Sequence, residues 1–153
     1  MQIKSPAFLD GGEIPTQFTC QGQDLAPALQ WQDVPATAKS LVLLVDDPDA
    51  PDPKAPKMTW VHEVMVDIAP TVRGLAEGHG LPPGARFGIN DWKKPAWGGP
   101  CPPIGRHRYY FKLFAVDAKL ALPEHPTKPE VLAAMQGHIV AEAVLMGTYQ
   151  KHP

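Results

Sequence analysis

Residues 98–109, Gly-Gly-Pro-Cys-Pro-Pro-Ile-Gly-Arg-His-Arg-Tyr, combine a glycine pair and a proline-rich turn with the start of an apolar segment. Glycine permits close backbone approach, and proline restricts the conformations of a loop. The segment 108–116 has the alternation of a strand, and His107 falls in phase with Tyr109 if the strand begins there. The stretch therefore predicts a rigid loop that brings an imidazole and a phenol to one end of a sheet.

Two earlier segments have the same design of an apolar strand beside polar side chains. Residues 41–45 are continuously apolar, which predicts a strand buried on both faces that ends at Asp46-Asp47-Pro48. Residues 60–68 are rich in β-branched side chains, and strict alternation would place His62 on the more apolar face and Glu63 on the opposite one. Shorter strands are expected at Phe8–Leu9, Phe18–Cys20 and Ala28–Gln32.

Near the end of the chain, Thr127 and Glu130 match a capping box, and Pro129 suits a first helical turn. Apolar residues then recur at helical spacing as far as Gly147, which predicts a C-terminal helix of about 20 residues. A glycine at position 137 would cost this helix about 1 kcal/mol relative to alanine, so a break there is compatible with the pattern.

Composition limits the classes of fold and function. The chain has 153 residues, with 19 prolines and 13 glycines, and neither a repeat nor a composition change divides it, so we expect one mainly β domain spanning residues 1–153. A net charge of −2 gives no general attraction to nucleic acid. No leader or transmembrane segment is evident, which predicts a cytoplasmic protein, although a secreted form without its leader would look the same.

The side chains expected at the strand ends are mostly hydrogen-bond donors. Converging imidazoles, a phenol, an indole and glycine-loop amides suit a phosphate or carboxylate group. Asp47 is expected to orient His62 and raise its pKa, which would favour the cationic form. Four basic side chains are expected to add a positive rim: Lys93, Lys94, Arg106 and Arg108.

Three motifs, Asp47-Pro48-Asp49-Ala50-Pro51, Trp60-Val61-His62 and Gly-Pro-Cys-Pro-Pro before His107-Arg108-Tyr109, resemble the signature segments of the phosphatidylethanolamine-binding protein family, in its short bacterial and archaeal branch. The resemblance implies a Greek-key β-sandwich with peripheral helices, a C-terminal helix and a small anion pocket. The matching pocket positions are Asp47, Pro51, Trp60, His62, Pro103, His107 and Tyr109, with Gly99 and Pro100 in its loop.

The same resemblance implies a non-catalytic protein without a metal or cofactor. Its ligand would be phosphate, a phospholipid head group such as phosphoethanolamine, or a phosphorylated residue. Family members include regulators that inhibit kinases or proteases, so a protein partner and a homodimer are both compatible with it. Two departures affect the pocket: Glu63 replaces an apolar or aromatic residue and is expected at a surface, rim or dimer contact, and Trp92 and Trp97 precede the glycine turn.

A hydrolase using the same pocket is the alternative. Cys101 could be a thiol nucleophile activated by His107 or His62, or Asp47, Asp49, His62 and Glu63 could hold a metal. Strand alternation disfavours that metal site, because it directs His62 and Glu63 to opposite faces. In a reducing compartment, Cys20 and Cys101 are expected to be free thiols. A disulfide between them is the alternative.

Overall fold

A computed structural model describes residues 1–153 and contains two antiparallel sheets and one α-helix. The strands are β1 (Gln2–Lys4), β2 (Leu29–Gln32), β3 (Ser40–Ala50), β4 (Met58–Ile68), β5 (Gly74–Leu75), β6 (Arg86–Phe87), β7 (His107–Val116) and β8 (Ile139–Tyr149). Helix α1 spans Lys128–Met135, and a 3-10 turn spans Thr16–Phe18. The large sheet has the order β6-β4-β3-β7-β8 and the small sheet β1-β2-β5. The predicted mainly β, two-sheet class is confirmed, and the strand order is consistent with the Greek-key prediction.

Strand β3 lies at the centre of the large sheet and is buried on both faces, as its continuous apolar run predicts. Leu41, Leu43 and Val45 face the main core between the two sheets. Val42 and Leu44 face a second cluster, which helix α1 closes. Since each fully buried aliphatic side chain contributes roughly 1.5–3 kcal/mol, this strand anchors both layers and fixes the position of the aspartates that follow it.

The prediction that β3 ends at Asp46-Asp47-Pro48 is wrong, because the strand continues to Ala50. Its pairing with β7 stops at Asp46 opposite Tyr110, and its pairing with β4 shifts register between Asp47 and Ala50. Pro48 lies within this irregularity, where no ladder N–H is required. The carboxylates of Asp46, Asp47 and Asp49 therefore project from a strand and not from a loose turn.

Strict alternation also fails in β4. Val45 pairs with Glu63 but Asp46 pairs with Val61, so an extra residue is accommodated at His62. Val61 and Val64 consequently pack in the same cluster although they are three positions apart. The bulge turns His62 towards Tyr109 and away from that cluster, which sequence periodicity could not reveal.

The predicted helix of about 20 residues is wrong beyond its first two turns. The capping box of Thr127 and Glu130 is present, but α1 ends at Met135, and Gly137 then adopts a φ of +82°. Residues 139–149 form β8, in which every second residue from Ala143 to Tyr149 is buried. Pairing with β7 over its whole length satisfies the backbone, and this outweighs the helical spacing of the apolar side chains.

Among the weaker early predictions, the strand at residues 28–32 is confirmed as β2. Phe18 instead ends the 3-10 turn, Thr19 and Cys20 follow it, and residues 8–9 form no strand. No helix has both the length and the hydropathy needed to cross a membrane.

Candidate functional site

A pocket of about 400 Å³ opens beside the proline-rich loop, where β3 ends and where β4 and β7 begin. Seven of the nine residues predicted for a ligand site line it: Asp47, Pro51, Trp60, His62, Pro103, His107 and Tyr109. The other lining residues are Ala50, Met58, Trp92, Cys101 and Pro102. Strand ends far apart in sequence thus converge here, while a binding role for these residues stays a prediction.

The two remaining predicted residues, Gly99 and Pro100, do not line the pocket. Gly99 lies against the Asp24 carboxylate and the Phe18 carbonyl, where a Cβ atom would clash. The Pro100 carbonyl accepts a hydrogen bond from the Cys20 amide at 3.1 Å. Both residues hold the loop against the N-terminal segment and so shape the pocket indirectly.

Asp47 binds His107, which corrects the expectation that it orients His62. His107 Nδ1 lies 2.5 Å from the Asp47 carboxylate, and both side chains are buried. The other ring nitrogen, Nε2, faces the Ile104 carbonyl at 2.9 Å and the Pro51 carbonyl at 3.1 Å. Both ring nitrogens of His107 therefore contact protein groups, and the imidazole bridges β7 to the Asp47 carboxyl and to both loops.

Burial raises the pKa of Asp47, and its hydrogen bond from His107 acts in the opposite direction. The Asp47 carboxylate also accepts the Asp49 amide at 2.7 Å, which fixes its orientation. Asp47 and His107 are therefore a structural part of the pocket wall, and no N–H of His107 remains free to donate to a ligand.

His62 is neutral, contrary to the expected cation. Its ring is 3% exposed, and burial lowers its pKa to about 4 despite the hydrogen bond to Gly98. Nδ1 lies 2.7 Å from the Gly98 carbonyl, which requires that Nδ1 carry the proton. Ring edges of Tyr109 and Trp92 contact the imidazole, each with centroids 5.1 Å away.

Two buried donors on the pocket wall have no protein partner: Trp60 Nε1 and Tyr109 Oη. Burial raises the pKa of Tyr109, so its hydroxyl keeps its proton and can donate. Leaving a buried polar group unpaired costs about 1–3 kcal/mol, and such groups in a native structure call for an explanation.

The predicted positive rim is absent from the lining, which contains no Lys or Arg. Arg108 instead clamps Asp49 with contacts of 2.8 and 3.0 Å, and its hydrogen bonds lower the pKa of that carboxyl. Arg106 lies 3.8 Å from Glu13. Lys94 borders a separate small cavity. Arg106 and Arg108 therefore lie beside protein carboxylates, and Lys94 lies at the neighbouring cavity.

Cys20 and Cys101 form a disulfide, so the expectation of free thiols is wrong. Their Cα atoms are 5.4 Å apart because the loop packs against the N-terminal segment. Cys101 lines the pocket as a sulfur without a thiol, which removes the nucleophile of the hydrolase alternative. The acidic residues and histidines also form no group of three that could hold a metal ion.

Glu63 is fully buried and lies 3.1 Å from the imidazole of His79, so its predicted surface position is wrong. Glu63 pairs with Val45 and alternates with Met65, so it lies on the face of β4 that packs in the main core, where the histidine from a later loop contacts its carboxylate. Trp92 contacts Trp60 edge-on at 5.5 Å and covers one side of the pocket. Trp97 stacks against Phe111 at 6.1 Å and packs on the core.

A family model described as phosphatidylethanolamine-binding protein matches residues 4–150. The chain belongs to the phosphatidylethanolamine-binding protein family. It is 44% identical to a UPF0098 protein of Methanothermobacter thermautotrophicus, with 99% of both chains covered.

Two solved structures of the family share the fold. The Chlamydia trachomatis homolog CT736 superposes with a TM-score of 0.92 at 44% identity, covering 99% of this chain and 97% of that one. Escherichia coli YbcL, described as a new member of the mammalian family, gives a TM-score of 0.87 at 30% identity, covering 99% and 98%. The family resemblance inferred from the three motifs is therefore confirmed over nearly the whole chain.

Proposed function

We propose that this phosphatidylethanolamine-binding protein family member binds a small anionic group in the pocket without catalysis. The observation that carries the proposal is a pair of buried donors without a protein partner, Trp60 Nε1 and Tyr109 Oη, on two side chains that line one cavity. An anionic oxygen that reached them would replace two unpaired groups with charge-assisted hydrogen bonds.

The arrangement of the polar side chains supports binding without turnover. Cys101 has no thiol, and both nitrogens of His107 are bound to protein acceptors, so neither group can act as nucleophile or base. His62 is held by Gly98 and has no adjacent hydroxyl or thiol nucleophile in the lining other than the phenol of Tyr109.

Free phosphate, a lipid head group and a phosphorylated residue on a protein partner all carry the group proposed here. A kinase or protease partner and a homodimer are proposals that follow from family membership alone. Cytoplasmic location also stays a prediction, and the Cys20–Cys101 disulfide favours an oxidising compartment instead.

The test is calorimetric titration of inorganic phosphate into the wild type and the Tyr109→Phe variant in chloride buffer. The variant removes one oxygen that has no protein partner, so we expect its unfolding free energy to be unchanged or slightly higher. We expect its affinity to fall roughly tenfold, which corresponds to the loss of one hydrogen bond to a charged group.

Tyr110→Phe is the matched control. Tyr110 follows in the same strand but contacts Arg108 and Lys112 outside the pocket, so phosphate affinity should not change. Equal weakening in both variants would contradict the proposal, as would no saturable binding to the wild type.

A further inference from the structure

The imidazole of His62 offers the pocket an acceptor and not a donor. Its Nδ1–H donates to the Gly98 carbonyl at 2.7 Å, which leaves the lone pair of the neutral ring on Nε2. Nε2 has no hydrogen-bond partner in the protein and, unlike Trp60 Nε1 and Tyr109 Oη, is not sealed from solvent. A bound oxyanion therefore meets two donors and one acceptor.

The charges around His62 leave it neutral in the pH range of most cells. Asp46 and Asp91 favour the cation, whereas His107 and above all burial oppose it, and the pKa falls to about 4. Asp46 is itself bound by Lys112 and Lys128, at 3.3 and 2.6 Å. Asp91 accepts the Val61 amide at 2.7 Å. Asp47 is engaged by His107, and Tyr109 stays protonated, so no neighbour supplies Nε2 with a proton.

The pocket also lacks a free cation. Its lining contains no Lys or Arg, and the ring of His107 is already bound to the Asp47 carboxyl. A doubly charged anion would have to lose its hydration with no opposite charge in contact, which is costly. A singly charged anion avoids most of that cost.

Resting on the proposed function, we propose that the pocket selects the protonated monoanion of phosphate or a phosphate monoester, and discriminates against phosphate diesters. The P–OH proton of the ligand donates to the accessible His62 Nε2, while small shifts of the side chains that cover Trp60 Nε1 and Tyr109 Oη let its other oxygens accept from these two donors. A diester is also singly charged, but its phosphate carries no proton near neutral pH, so Nε2 faces an ester oxygen lone pair. No bond is made or broken, and the proton stays on the ligand.

The experiment is calorimetric titration of methyl phosphate and dimethyl phosphate into the wild type in chloride buffers from pH 5.5 to pH 8. The two ligands differ by one methyl group in place of the acidic proton, so size does not separate them in this pocket. At the lowest pH we expect methyl phosphate to bind roughly tenfold more tightly, because only it satisfies Nε2. Above its second pKa, which is about 6, its affinity should fall by about tenfold per pH unit, whereas that of dimethyl phosphate should not change.

Inorganic phosphate and the His62→Phe variant complete the design. Tight, pH-dependent binding of inorganic phosphate without binding of methyl phosphate would support the protonated form and assign free phosphate as its source. In a folded His62→Phe variant, methyl and dimethyl phosphate should bind alike.

Equal affinities of the two methylated ligands in the wild type, independent of pH, would overturn this inference and leave the proposed function intact. Failure of all three phosphates to bind would overturn the proposed function, and this inference with it.

Discussion

At His62, solvation and hydrogen bonding act on the proton in opposite directions. Burial disfavours the imidazolium, and the Gly98 carbonyl favours it, but burial dominates and the pKa drops to about 4. A carbonyl can accept from Nδ1 of the neutral ring, so the hydrogen bond at 2.7 Å does not require the cation. The imidazole at position 107 differs, because both of its nitrogens contact protein groups, Nδ1 the Asp47 carboxyl and Nε2 the Ile104 carbonyl.

Because the pKa of His62 is lower in the folded chain than in the unfolded chain, the stability of the protein depends on pH. The unfolded ring, with its pKa near 6.5, takes up a proton between pH 6.5 and pH 4, while the folded ring does not. Stability is therefore complete above pH 6.5 and declines as the pH falls to about 4, by about 3 kcal/mol for this group. We expect the unfolding free energy of the His62→Phe variant, measured by urea titration, to lack this part of the decline.

His138→Gln serves as the reference, because His138 is an exposed histidine bound to Asp117 and lies outside the pocket. Its pH profile should follow the wild type. Parallel profiles for wild type and His62→Phe between pH 4 and pH 6.5 would refute the neutral, buried assignment of His62.

Among the secondary-structure elements, α1 and β8 show how one segment can satisfy two patterns. Apolar residues at helical spacing run from Val131 to Met146, but the alternating buried residues of β8 also have the period of a strand. The capping box specifies where the helix begins, and a left-handed glycine at position 137 allows the chain to turn into the sheet. Pairing with β7 is a long-range interaction, which local spacing cannot report.

Gly137→Ala tests this turn. The backbone has a φ of +82°, and an added Cβ would meet nothing within 4 Å, so the cost is conformational and not steric. We expect a loss of about 1 kcal/mol in unfolding free energy, measured by chemical denaturation.

Gly80→Ala is the matched control, since that glycine also has open space around it but no left-handed φ. It should leave stability unchanged or raise it by up to about 1 kcal/mol, because alanine restricts the unfolded chain. Equal effects at both positions would mean that the turn at residue 137 does not depend on its backbone conformation.

For the whole molecule, the disulfide joins the N-terminal segment to the pocket loop across a sequence separation of 81 residues. Closing so long a loop restricts the unfolded chain and should contribute about 4 kcal/mol to stability. We expect the double variant Cys20→Ala/Cys101→Ala to be destabilised by several kcal/mol, and the wild type to lose a similar amount in reducing agent, both measured by thermal unfolding.

The double variant itself should be insensitive to reducing agent. If reductant lowered the melting temperature of both proteins equally, the disulfide would not be the source of the effect. Retained phosphate binding in the folded double variant would show that the pocket does not require the bond.

The apolar strands could predict the mainly β fold, and the resemblance of the three motifs to the family's signature segments could predict the seven lining residues. They could not predict which carboxylate binds which histidine. That pairing depends on the β4 bulge at His62 and on Asp47 facing β7 across the sheet. The burial of Glu63 against His79 has a different cause: Glu63 alternates with Met65 as predicted, but that face of β4 also packs in the main core.

The most direct test of the anion pocket is two-dimensional NMR of the indole N–H groups during titration with inorganic phosphate at pH 6. The chain has four tryptophans, so four indole signals are expected. We predict that the Trp60 signal shifts with saturation, while the Trp31 signal, whose indole already donates to the Val72 carbonyl at 2.7 Å, stays in place. An unchanged Trp60 signal at saturating phosphate would contradict the account.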